Sequence, residues 1–131
     1  MDKIRKLLFV AGVLTILEIL TFKYTIMLTD SLWPFKEIGV GWGIYEFYTL
    51  MLFFFLMFFT NLLLSLLEVS KKTIVIVFGL LLLYVYLIHT PYSTRPYRVL
   101  LRIIIALSCT SISTLIVYQW NKKTALSQIE K

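Results

Sequence analysis

Long runs of hydrophobic residues separated by short polar links make up most of this chain. Four runs are long enough to cross the hydrocarbon core of a bilayer, at residues 7–29, 44–67, 73–89 and 99–120. The third run is the shortest and lies at the lower limit for a span. The pattern therefore predicts an all-α membrane protein with four transmembrane helices.

The short links between the runs favour an up-down-up-down arrangement of a four-helix bundle. The link at residues 68–72 is so short that the second and third helices are expected to be antiparallel neighbours. The chain has 131 residues, and no internal repeat is visible in it. We therefore predict that residues 1–131 form a single transmembrane bundle without a second domain.

The composition supports a membrane location over a nucleic-acid-binding role. Hydrophobic residues make up 60% of the chain and the mean hydropathy is +0.87, whereas soluble domains are usually about 45–50% apolar. The net charge of +6 would suit nucleic acid, but the basic residues cluster beside the hydrophobic runs. The expected partner of this surface is the lipid bilayer, and nucleic acid is not expected.

The basic residues also predict the orientation, because loops on the cytoplasmic side carry more Lys and Arg. Eight basic residues lie on the side of the two termini and four on the other side: Lys3, Arg5, Lys6, Lys71, Lys72, Lys122, Lys123 and Lys131 against Lys36, Arg95, Arg98 and Arg102. We expect a multi-pass protein of the cell membrane with both termini in the cytoplasm.

Glu18 stands at the centre of the first hydrophobic run. A carboxylate at that depth costs at least ~2.5 kcal/mol on insertion scales. Helical spacing places Thr15 and Thr25 on the same face, and small polar faces are how membrane helices associate. Two interpretations follow: a structural hydrogen bond inside the bundle or an oligomer, and a site for a proton or a cation.

Polar residues of the second and fourth runs are candidate partners of Glu18. Asn61 lies in the inner half of the membrane, where an amide needs a hydrogen-bonded neighbour. The fourth run carries several hydroxyls between residues 108 and 114, and Thr110 and Thr114 follow a small-xxx-small spacing. Such residues serve either close helix packing or the polar wall of a pathway. The partners of Glu18 are expected among these groups or on a neighbouring subunit.

Lys23 and Glu46 lie at comparable depth near the outer ends of the first and second helices. They form a candidate ion pair between these helices. The alternative for Lys23 is snorkelling of its long side chain to the membrane surface.

Three arginines and the only histidine gather around the link between the third and fourth helices: Arg95, Arg98, Arg102 and His89. Together they form a candidate site for an anion or a lipid headgroup, with a pH-sensitive member in the histidine. The structural alternative is an interfacial anchor.

The sequence offers little support for enzyme chemistry, a metal site or a cofactor. No Ser/His/Asp spacing suggests a nucleophile system. A structural zinc or haem site would need more ligands than one His and one Cys provide. A non-enzymatic role without metal or cofactor is the expectation.

The order of Lys23, a glycine-containing loop and the segment Gly43-Ile44-Tyr45-Glu46 resembles the DoxX-like small four-helix membrane proteins. The resemblance covers residues 22–47. It implies a quinone- or thiol-linked redox accessory role.

Two broader functional classes follow from the residues themselves. In the first, the protein is a subunit or an accessory or assembly factor of a homo-oligomeric or larger membrane complex. In the second, it is a channel or transporter subunit for protons, cations or a small solute, centred on Glu18. We favour the first, because a bundle of 131 residues leaves little room for an enclosed pathway within one protomer.

Overall fold

A computed structural model describes residues 2–32, 40–89 and 96–129 of the chain. These ranges form four α-helices and contain no strand: α1 (Asp2–Leu32), α2 (Val40–Leu67), α3 (Lys71–His89) and α4 (Pro96–Ile129). All four are long and apolar enough to cross a membrane. The predicted all-α class with four candidate spans is confirmed, and the arrangement is consistent with a four-helix bundle.

The helices extend beyond the hydrophobic runs that predicted them. The largest extension is in α4, which begins at Pro96 and continues to Ile129 instead of ending near residue 120. Proline is tolerated at a first helical position because that N–H has no partner within the helix. Neither Gly nor Pro follows Trp120, so the backbone continues helically beyond the apolar segment.

α2 lies at the centre of the helix packing. Its backbone lies close to those of α1, α3 and α4, whereas the Cα atoms of α1 and α3 stay more than 8 Å apart in the described ranges. The buried face of α1 follows steps of three and four residues through Ala11, Thr15, Glu18, Phe22 and Ile26. This face carries Glu18 into the interior.

Two apolar clusters fill the interior. We call the larger one the Phe22 cluster; the rings of Phe22 and Phe53 stack within it, with centroids 4.3 Å apart. The smaller one, the Leu64 cluster, contains Leu64, Val77 and Val117. It lies nearer the terminal end, by which we mean the end where α1 begins and α4 ends.

The link between α2 and α3 is a tight, capped turn. Glu68 follows α2 with a φ of 60°, the left-handed conformation that often ends a helix. The hydroxyl oxygen of Ser70 accepts the backbone N–H of Thr73 at 3.3 Å and caps the start of α3. The turn directs α3 back against α2.

Candidate functional site

The Glu18 carboxylate joins three helices. Its Oε2 atom accepts a hydrogen bond from Asn61 Nδ2 on α2 at 2.7 Å, and its Oε1 atom accepts one from the Ser113 hydroxyl on α4. Glu18 itself is only 8% exposed. The group of Glu18, Asn61, Ser113 and Thr15 is called the Glu18 network below.

Thr15 extends the network along α1. Asn61 Nδ2 also donates to Thr15 Oγ1 at 3.1 Å, and the Thr15 hydroxyl donates to the Ala11 carbonyl at 2.8 Å. Both Thr15 and Asn61 are fully buried. Three of the predicted intramembrane residues, Glu18, Asn61 and Thr15, therefore lie together.

The other predicted threonines do not join the network through their hydroxyls. Thr110 donates to the Ala106 carbonyl at 2.7 Å, and Thr114 donates to the Thr110 carbonyl at 2.8 Å. Such bonds to the preceding helical turn satisfy a hydroxyl without an interhelical contact. Thr25 is half-buried on α1.

Ser113 is the contact that sequence reasoning did not single out. Between residues 106 and 117, the buried positions of α4 recur every three or four residues and include Ser113 but not Thr114: Ala106, Cys109, Thr110, Ser113 and Val117. Helical periodicity applied to the whole run would have placed Ser113 on the inner face.

Apolar layers separate the Glu18 network from both ends of the helices. Leu64 and Val117, both of the Leu64 cluster, lie about one helical turn from Asn61 and Ser113 on the terminal side. The Phe22 cluster fills the interior on the other side. The network is thus bordered by apolar clusters on both sides.

The partner of Glu46 corrects the predicted pairing with Lys23. Arg102 Nη2 donates to Glu46 Oε1, and the side chain of Arg102 is fully buried. The guanidinium also lies 4.8 Å from the centroid of the Tyr45 ring. Arg102 is on the inner face of α4, whereas Lys23 is exposed on α1. Orientation around each helix therefore decides the pairing.

The predicted anion or headgroup site stays a prediction, and the structure shows ion pairs for two of its arginines. Arg98 pairs with Asp30 at 2.8 Å, and Arg102 pairs with Glu46. Both guanidinium groups therefore bind carboxylates of the chain itself. Arg95 and the side chain of His89 lie outside the described residues.

Comparison with protein-family models, with curated proteins and with solved structures finds no match to this chain. The resemblance to the DoxX-like proteins therefore stays a prediction. Functional inference rests on the geometry of the site.

The described ranges contain no group of three His, Cys, Asp or Glu side chains that could hold a metal ion. Cys109 is a buried free thiol within the Phe22 cluster.

Lys23 is an exposed charged side chain within the candidate membrane span of α1. It lies five residues beyond Glu18, about 7.5 Å along the helix axis. Its neighbours Leu20, Tyr24 and Met27 are also exposed. The salt bridges among the described residues do not include Lys23.

Proposed function

We propose that this protein is a non-enzymatic subunit or accessory factor of a membrane complex, which associates with copies of itself or with other membrane subunits through its outward helix faces. The observation that supports association best is the exposed Lys23 on α1, and the enclosed Glu18 network supports the absence of a permeation site. The Glu18 carboxylate accepts hydrogen bonds from the chain's own helices. The packing of these helices therefore explains why a carboxylate is present inside the membrane.

The enclosure favours a structural role for Glu18 over a permeation site. A carboxylate inside a membrane costs at least ~2.5 kcal/mol, and hydrogen bonds from Asn61 and Ser113 offset that cost. A pathway would need polar groups that continue towards both ends. The Phe22 and Leu64 clusters interrupt the polar groups on both sides of the network, and in the described helices the nearby buried hydroxyls of Thr60 and Ser65 make no hydrogen bond to it.

Lys23 supports association through the outer face of α1. Lys23 is exposed beside exposed apolar residues of α1, where a charge facing lipid is costly unless it snorkels or is paired. A partner helix with a carboxylate in the same half of the bilayer would remove that cost. We propose this face as the contact with the partner.

The proposed arrangement in the cell membrane is an up-down-up-down bundle with both termini in the cytoplasm. Its support is the distribution of charge along the sequence, because eight basic residues flank the termini and the second link, against four in or beside the first and third links.

The first test measures the assembly of the purified protein. Purified protein in mild detergent is expected to run as an oligomer or with co-purifying membrane subunits, and Lys23→Met is expected to dissociate it. Lys122→Met, a change of the same type near the end of α4, should leave the assembly intact. A monomer without partners, or equal effects of the two variants, would contradict the proposal.

A proton or cation pathway is the second candidate, and one observation favours it. Asn61 Oδ1 is buried without a hydrogen-bond partner among the described residues. Rotation of the amide by about 180° would present this acceptor to a protonated Glu18, so the network suits either protonation state. Proton or cation flux in liposomes that disappears in Glu18→Gln would establish this function; the accessory role predicts no flux.

A further inference from the structure

A cleft of about 440 Å³ opens at the terminal end between α1, α2 and α4. Its volume lies in the ~300–1,000 Å³ range of ligand sites. Basic and apolar side chains line it together: Lys3, Lys6, Leu7, Val10, Ile116 and Trp120. The Leu64 cluster lies between this cleft and the Glu18 network. The cleft is thus a separate feature of the molecule.

Two polar atoms at the wall of the cleft lack a hydrogen-bond partner in the part of the chain that the structure describes. One is the hydroxyl of Ser65, a residue only 6% exposed, and the other is the buried Nδ2 atom of Asn121. Buried polar groups are nearly always hydrogen-bonded. Both atoms can donate, so an occupant that supplies acceptor oxygens would satisfy them after small rotations of these two side chains.

The charges of the lining residues also favour an occupant with acceptor oxygens. Lys3 and Lys6 are donors only, while Glu68 is the single acidic residue of the lining. An occupant with several oxygens and a negative charge complements this set. Leu7, Val10 and Ile116 provide an apolar wall beside it.

We propose that the cleft binds an anionic phospholipid of the surrounding membrane. Its phosphate lies at Lys3 and Lys6, and its ester oxygens accept hydrogen bonds from Ser65 Oγ and Asn121 Nδ2. The upper part of an acyl chain lies along the apolar wall, and Trp120 sits at the level of the headgroups, as interfacial tryptophans do.

Trp120 provides the test, since it lines the cleft and is one of three tryptophans. Replacement of Trp33 and Trp42 by Phe leaves it as the only one. The protein is reconstituted in phosphatidylcholine vesicles that contain a small fraction of phosphatidylglycerol with brominated acyl chains, which quench nearby tryptophan. Brominated phosphatidylglycerol should quench Trp120 far more than the same fraction of brominated phosphatidylcholine.

Variants separate the cleft from general surface charge. Lys3→Gln and Lys6→Gln should each weaken the preference about fivefold, and Ser65→Ala should weaken it without any change of charge. Lys71→Gln with Lys72→Gln, at the same end but outside the lining, is the matched control. Slow maleimide labelling of Cys109 verifies that each variant is folded.

Three outcomes would overturn the proposal. The first is equal quenching by the two brominated lipids. The second is an equal loss of preference in the Lys71 and Lys72 control, which would assign the effect to surface charge. The third is displacement of the lipid by soluble glycerophosphate, which would indicate a site for a free phosphate compound.

Discussion

Replacement of Asn61 by leucine tests whether the Glu18 network holds the helices together. The amide makes two interhelical hydrogen bonds, to Glu18 Oε2 at 2.7 Å and to Thr15 Oγ1 at 3.1 Å. Leucine has a similar branched shape and a larger volume, and it cannot donate. The variant therefore loses both links between α1 and α2, and the larger side chain must also fit a fully buried position.

The expected loss of stability is about 1–2 kcal/mol. An interhelical hydrogen bond in a membrane protein contributes about 0.6 kcal/mol on average and about 1.7 kcal/mol at most, so two bonds give about 1.2 to 3.4 kcal/mol. The buried Oδ1 atom of Asn61, which lacks a partner among the described residues, opposes this loss. Its removal relieves a desolvation cost and places the result in the lower half of the range.

Thr60→Val is the matched control on the same helix. Thr60 is also fully buried, but its hydroxyl has no partner in the described ranges. Its replacement should leave the free energy of unfolding unchanged or raise it by up to about 1 kcal/mol. Both variants are measured by reversible unfolding in mixed micelles with increasing dodecyl sulfate.

The result that refutes this reasoning is a neutral Asn61→Leu beside a destabilising Thr60→Val. Ser113→Ala adds an internal check, since it removes a single bond to Glu18. Its cost should be about half that of Asn61→Leu. A larger cost for Ser113→Ala would mean that the hydroxyl, and not the amide, dominates the network.

Three further outcomes follow from burial. Phe53→Ala should cost about 3 kcal/mol in the same unfolding assay, because the fully buried ring leaves a cavity, whereas Phe55→Ala, at 46% exposure, should change stability by less than about 0.5 kcal/mol; equal effects would contradict the packing of α2. Asp30→Asn should cost less than about 1 kcal/mol, and added salt should shrink the difference, because its bridge to Arg98 is partly exposed; a loss independent of salt would oppose this account. Cys109, the only cysteine, should react slowly with a maleimide in the folded protein and quickly in denaturing detergent; rapid labelling of the folded protein would show that α4 is turned differently.

The sequence was sufficient to predict the four helices, because hydropathy and length alone identify segments that can cross a bilayer. It was less informative about their ends. Hydropathy marks the part of a helix that suits hydrocarbon, whereas α4 continues through Lys122 and Lys123 to Ile129. Backbone hydrogen bonds extend a helix regardless of whether its side chains face lipid or water.

The partners of the buried polar groups were predictable only in part. The requirement for hydrogen bonds inside a membrane made Asn61 and the α4 hydroxyls natural partners of Glu18. The choice of Ser113 over Thr114 depends on the rotation of α4 about its axis. The same limit explains the pairing of Glu46 with Arg102, since similar depth does not reveal which side chain faces inward.

The Glu18 network also has a consequence for the synthesis of the protein. Asn61 follows Glu18 by 43 residues and Ser113 follows it by 95 residues. At a translation rate of about 5–20 residues per second, the last donor emerges about 5–19 s after the carboxylate. Until then the nascent α1 carries an acidic group whose bonds are incomplete, and a chain that stops before α4 never completes them. The hydrogen bonds of Glu18 are therefore complete only in a chain that includes α4. In a truncated chain the carboxylate keeps part of its insertion cost, and the chain is less stable in the bilayer.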